Sequence, residues 1–106
     1  MKNYDENNFR EVEWYEGISV ICFFAAWCPP CLANKETFET FSEWLPEGVK
    51  VGSINVDISP VLTSRYRIYG LPTVLYIHKS KVIKYIAGVK SLSFYQEAFL
   101  ETSANI

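Results

Sequence analysis

Residues Ile18 to Ala25 form an almost wholly apolar run of β-branched, aromatic and small side chains, and the chain passes from it into Cys28-Pro29-Pro30-Cys31. The run is too short for a typical helix. It predicts a central strand covered on both faces. A helical pattern follows from Cys31 to Leu45, with Ala33, Phe38, Phe41 and Leu45 near one face and Pro46 and Gly48 ending it. A thiol between a buried strand and a helix N-terminus meets unpaired N–H groups and the positive end of the macrodipole. Both favour a thiolate at Cys28, and the thiolate is the nucleophile of sulfur chemistry. Cys31 lies one turn further on, close enough to bond Cys28 or to attack a mixed disulfide held there.

The rest of the chain alternates in the same way. Asn8 to Glu16 carries a partial helical stripe of Phe9, Val12 and Trp14, stopped by Gly17. Val49 to Val56 predicts a second buried strand. Asp57 or Ser59 is placed to cap a short helix from Pro60 to about Tyr66. Thr73 to Ile77 and Val82 to Ala87 predict two further strands, joined as a hairpin by the polar loop His78-Lys79-Ser80-Lys81. Ser93-Phe94-Tyr95-Gln96 has the form of a capping box opening a last helix. The predicted order is α-β-α-β-α-β-β-α. Strands alternating with helices pair in parallel, and the closing hairpin is antiparallel. The expectation is one domain, residues 1–106, of α/β class: a mixed four- to five-stranded sheet with helices on both faces.

Bulk properties narrow the function classes. Apolar residues make up 49% of the chain and charged residues 21%, which suits a packed core. The net charge is −2 and no Lys/Arg cluster occurs, so neither nucleic acid nor an anionic membrane is an expected partner. The polar start, Met1 to Asn7, lacks the apolar core of a signal peptide, and the expected location is the cytoplasm. Three cysteines cannot make a purely structural disulfide framework. A C-x-x-C pair in a reducing compartment points to redox chemistry or metal. Zinc needs four ligands, and the chain offers one His and one further Cys, so no metal or other cofactor is expected. A cluster shared between two chains is the remaining metal reading. Cys22, in mid-strand, reads as a small buried hydrophobe, with a Cys22–Cys31 disulfide as the less favoured alternative. Trp14 and Trp44 read as packing residues, and His78 as solvated surface.

From about Phe9 onward the chain resembles the thioredoxin family. The resemblance rests on Trp27 before the first cysteine, on Asn55-Val56-Asp57, on Tyr69-Gly70-Leu71-Pro72-Thr73 and on Gly88. Only the family's first strand is poorly represented, because Met1 to Asp5 is very short. The resemblance implies a thioredoxin fold and a protein-disulfide reductase that cycles Cys28 and Cys31 between dithiol and disulfide. It implies a cis peptide at Pro72, with Leu71 presenting its backbone to an extended client strand. Trp27, Gly70, Leu71, Pro72 and Gly88 would bind the client, and Pro29 and Pro30 would stiffen the active-site turn. The implied partners are disulfide-bearing client proteins and an NADPH-dependent thioredoxin reductase as electron donor, with the chain acting as a monomer. Two other readings are a dedicated oxidant or isomerase for one client and a non-catalytic binding module.

The chain also departs from the family. Cys22 stands where many thioredoxins bury an Asp, and Ser53 where the Lys paired with it would be. Cys31 is therefore expected to lose its proton through water, without a protein carboxylate. Pro29 and Pro30 remove two N–H donors beside Cys28, which leaves the amide of Cys31 as the first one available. Leu32 replaces the usual Lys or Arg. Glu36 replaces a helix-kinking Pro.

Overall fold

The computed structural model describes residues 1–106. Its elements are β1 (Lys2–Tyr4), α1 (Arg10–Glu13), β2 (Ile18–Phe24), α2 (Pro29–Trp44), β3 (Lys50–Asn55), α3 (Pro60–Arg65), β4 (Thr73–His78), β5 (Lys81–Ala87) and α4 (Leu92–Ala104). They build one five-stranded sheet in the order β1-β3-β2-β4-β5. β3 runs parallel to β1 and β2, whereas β4 is antiparallel to β2 and β5 to β4. The mixed α/β architecture read from the sequence is present, and it includes β1.

β2 is central because its side chains are apolar on both faces. Val20 and Cys22 face one helical layer, where Phe38, Phe41 and Leu45 of the α2 segment meet Tyr95, Ala98 and Phe99 of α4. Ile21 and Phe23 face the other, with Phe9, Val12, Leu62 and Ile68. Such alternation is the period of two expected of a strand. Phe41 is fully buried and stacks on Trp44, Tyr76 and Tyr95, with centroids 5.9, 6.3 and 5.4 Å away. Aromatic pairs of this kind each add about 0.5–1.5 kcal/mol beyond area burial.

Several element boundaries differ from the sequence expectations, each for a local reason. α1 is a single turn, because its buried stripe is only Phe9 and Val12; Trp14 is 76% exposed and is not a packing residue. Tyr15 leaves the helix and donates its hydroxyl to the Gly48 carbonyl. α2 begins at Pro29 rather than Cys31, since prolines fit the first helical turn, where N–H groups have no intrahelical partner. Its buried face is Cys31, Asn34, Phe38 and Phe41; Ala33 points outward. Ser59, not Asp57, occupies the N-cap position of α3, but its side chain makes no capping hydrogen bond. Glu6 supplies one from a distant segment, its Oε2 accepting from the Val61 and Leu62 amides at 2.5 and 3.2 Å. His78 is the last residue of β4 and pairs with Lys81. The hairpin loop is only Lys79-Ser80, both at positive φ, as a two-residue turn requires. The α4 cap is Ser91, not Ser93: its Oγ accepts from the Phe94 amide at 3.1 Å.

Candidate active site

The sheet register gathers the sequence motifs. β2 ends at Phe24, and Phe23 is opposite Thr73, the first residue of β4. Thr73 is opposite Ala87, the last residue of β5. The segment before Thr73, the residue after Ala87 and the turn after β2 therefore share one end of the sheet. β3 joins them there, its exit tied to β2 by the Val56 amide donating to the Phe24 carbonyl at 2.9 Å.

Cys28 is the N-cap of α2, with extended backbone angles (φ −94°, ψ 107°). Its amide donates to the Ala25 carbonyl at 3.3 Å, which closes the turn after the strand. Its Sγ accepts from the Cys31 amide at 3.2 Å, in the way a side-chain oxygen caps a helix. This is the donor that the double proline leaves available. All three cysteines are buried thiols. Burial pushes the Cys31 thiol up to about 11, and its hydrogen bond with Cys28 adds to the shift. Burial pushes Cys22 up to about 12, with the neighbouring Cys31 and Cys28 sulfurs adding to it.

Trp27 is 68% exposed beside this turn. Its Nε1 donates to Asp57 Oδ2 at 2.7 Å, so the ring is tied to the exit of β3. A groove of about 360 Å³ runs past Cys28, lined by Trp27, Pro29, Pro30, Tyr69, Gly70 and Leu71. The Leu71–Pro72 peptide is cis. The Pro72 carbonyl accepts from the Gly88 amide at 2.8 Å, joining these two segments. Gly88 has φ +89°, a backbone conformation that disfavours any side chain even though a Cβ there would touch nothing. Every site residue read from the sequence thus lies at this end of the sheet.

A second cavity, of about 530 Å³, lies behind Cys31 and is bordered by Cys22, Asn34 and Ser53. Cys22 and Ser53 are opposite each other across β2 and β3. Asn34 was not singled out by sequence reasoning, and Asp57 was read as a candidate cap for α3 rather than as the partner of Trp27. Asn34 had a signal, a carboxamide at helical spacing from Cys31 on an otherwise apolar face. For its bond to Trp27, Asp57 had none beyond its place in the Asn-Val-Asp stretch. No group of three or more His, Cys, Asp or Glu side chains stands where it could hold a metal ion.

Comparison with known proteins agrees with this geometry. The thioredoxin family model matches residues 1–99. The chain belongs to the thioredoxin family. It is 31% identical to thioredoxin of Alicyclobacillus acidocaldarius over 76% of this chain and 77% of that protein. It is likewise 31% identical to thioredoxin of Rhodospirillum rubrum over 77% of this chain and 80% of that one. The structure of chloroplastic thioredoxin z superimposes with a TM-score of 0.81 at 29% identity, covering 98% of this chain and 95% of that one. Family membership supports a thiol–disulfide oxidoreductase role.

Proposed function

We propose that the protein reduces disulfides in client proteins, with Cys28 as nucleophile and Cys31 as resolving thiol. One observation carries the reading: Cys28 Sγ sits at the N-terminus of α2 and accepts the Cys31 N–H at 3.2 Å, beside an open groove. An anion there gains both a hydrogen bond and the helix terminus. In the first exchange the Cys28 thiolate attacks one client sulfur, and the other client sulfur leaves as a thiolate that takes a proton from solvent. In the second, Cys31 gives up its proton and attacks Cys28 Sγ. The mixed disulfide breaks, the client leaves with two electrons, and Cys28–Cys31 becomes the disulfide.

Trp27, Gly70, Leu71, Pro72 and Gly88 form the client-binding rim, and Pro29 and Pro30 hold the turn. An extended client strand lies along Leu71 by adding main-chain hydrogen bonds at the sheet end. An NADPH-dependent thioredoxin reductase returns electrons to the pair, and the protein works as a monomer in a reducing compartment, the cytoplasm. No helix is long and apolar enough to cross a membrane. The test is insulin reduction with dithiothreitol. The protein is expected to accelerate it and Cys28→Ser to abolish the acceleration; equal rates refute the reading. Turnover with NADPH and a thioredoxin reductase then tests the electron donor.

A further inference from the structure

The resolving step needs a route for the Cys31 proton. Cys31 is 7% exposed, and it lies in a region without a carboxylate beneath it, because position 22 is a thiol. The next residue on the same helix face, three positions on, is Asn34, which is 1% exposed. Its Oδ1 accepts from the Tyr95 hydroxyl at 3.1 Å, and this fixes the amide. No protein group accepts from its Nδ2. Buried amide donors in folded proteins are nearly always satisfied, by protein or by ordered water. Asn34 borders the 530 Å³ cavity that also touches Cys31, Cys22 and Ser53 and reaches the surface at Asn3. A cavity that is roomy and carries several polar groups meets both requirements for holding water.

We propose that Asn34 is a positioning residue for resolution: its Nδ2 holds a water behind Cys31, and that water carries the Cys31 proton outward past Ser53. The inference rests on the exchange reading above. Cys31 loses only a proton in this step, to the held water and then to bulk solvent. The resulting thiolate forms the bond to Cys28 Sγ, and the client sulfur departs with the electron pair of the broken bond. The outward path has a polar lining, because Ser53 Oγ donates to Asn3 Oδ1 at 2.8 Å near the surface. Burial that raises the Cys31 thiol makes such assistance necessary near neutral pH. The titratable groups around the cavity are Cys22 on β2, Cys31, Lys35 and Glu39 on α2, Tyr95 on α4 behind Asn34, and the Met1 amino end. Lys35 and Glu39 are exposed at its mouth.

The test mixes reduced protein with limiting 5,5′-dithiobis(2-nitrobenzoate) in a stopped-flow instrument. The first thionitrobenzoate reports attack by Cys28, and the second reports resolution by Cys31. Asn34→Leu keeps the branched outline of the side chain and removes the donor, together with the acceptor for Tyr95. It is expected to slow the second release by about tenfold at pH 7, the equivalent of one pKa unit, leaving the first release unchanged. The deficit should shrink as pH rises towards the Cys31 value. Asn34→Ser, which can still hold a water, should keep most of the rate. An unchanged second phase in Asn34→Leu, or a deficit equal at every pH, overturns the role of Asn34 and leaves the exchange reading standing. Absence of any second release in the unmodified protein overturns both. A high-resolution crystal structure of the unmodified protein gives an independent decision. A water within hydrogen-bond distance of Nδ2 supports the proposal, and a dry Nδ2 refutes it.

Discussion

Cys22 allows a prediction whose size follows from its burial. It lies in mid-β2 at 7% exposure, and burial holds its thiol up at about 12 against an ordinary value of 9.0. In the unfolded chain the same thiol ionises near the ordinary value. Below pH 9 the group is protonated in both states and has no effect on the folding equilibrium. Above pH 9 the unfolded state loses the proton and the folded state keeps it, so stability falls until the pH passes the folded value. At pH 10.5 the chain is one and a half pH units into that window. At about 1.4 kcal/mol per unit, Cys22 alone then removes about 2 kcal/mol of stability.

The perturbation is Cys22→Ala, compared with the unmodified protein in urea at pH 8 and pH 10.5 under reducing conditions. The substitution opens a small cavity and lowers stability by a fixed amount at both pH values. The pH-dependent part is the difference of differences. Cys31, Tyr76 and Tyr95 are also raised by burial, but they are present in both proteins and their burial contributions cancel. The alkaline loss should be smaller in Cys22→Ala by about 2 kcal/mol, or roughly 1 M in urea midpoint at an m-value near 2 kcal/mol/M. Parallel pH dependences in the two proteins would refute the argument, and with it the view that Cys22 is a buried neutral thiol outside the exchange chemistry.

Two further substitutions probe how the site is supported. A Cβ on Gly52 would lie 2.3 Å from Tyr4 Cε2 and 2.8 Å from the Lys2 carbonyl oxygen. Gly52→Ala is therefore expected to cost about 1–3 kcal/mol and to release β1, seen as loss of amide-exchange protection at Lys2 to Tyr4. Asp57→Ala frees the Trp27 ring from its 2.7 Å hydrogen bond at an exposed position. Stability should change by no more than about 0.5 kcal/mol, while insulin reduction falls several-fold because the rim beside Cys28 loses its fixed ring.

The parts of the site that were legible in the sequence are those encoded locally. The apolar run, the double proline and the Gly-x-Pro-Thr stretch each dictate their own backbone, and the sheet register then brings them together. Parts that depend on distant partners were not legible. β1 is three residues long, and it exists because Gly52, fifty residues away, leaves room for Tyr4. α3 is capped by Glu6, which no spacing rule connects to Pro60. Ser93 matched a capping pattern, yet Ser91 caps the helix, and the half-buried Leu92 joins the core from its first turn. Asn34 is an exception of a different kind. Its spacing from Cys31 was visible, but a single polar residue in an apolar stripe gains meaning only when a cavity is seen beside it.

The cysteine pair is unequal, and the inequality comes from one turn of helix. Cys28 receives an N–H at its sulfur and lines the groove, whereas Cys31 gives that N–H and borders the second cavity. In the proposed exchange Cys31 therefore contributes twice, by main chain to the first step and by side chain to the second. Pro29 and Pro30 sharpen this dependence, since neither can supply a second amide. Cys31→Ser separates the two contributions because it keeps the amide and removes the thiol. The variant is expected to release the first thionitrobenzoate at close to the unmodified rate and to hold the second indefinitely. A first phase slowed along with the second would mean that the sulfur of Cys31, and not its N–H, prepares Cys28 for attack.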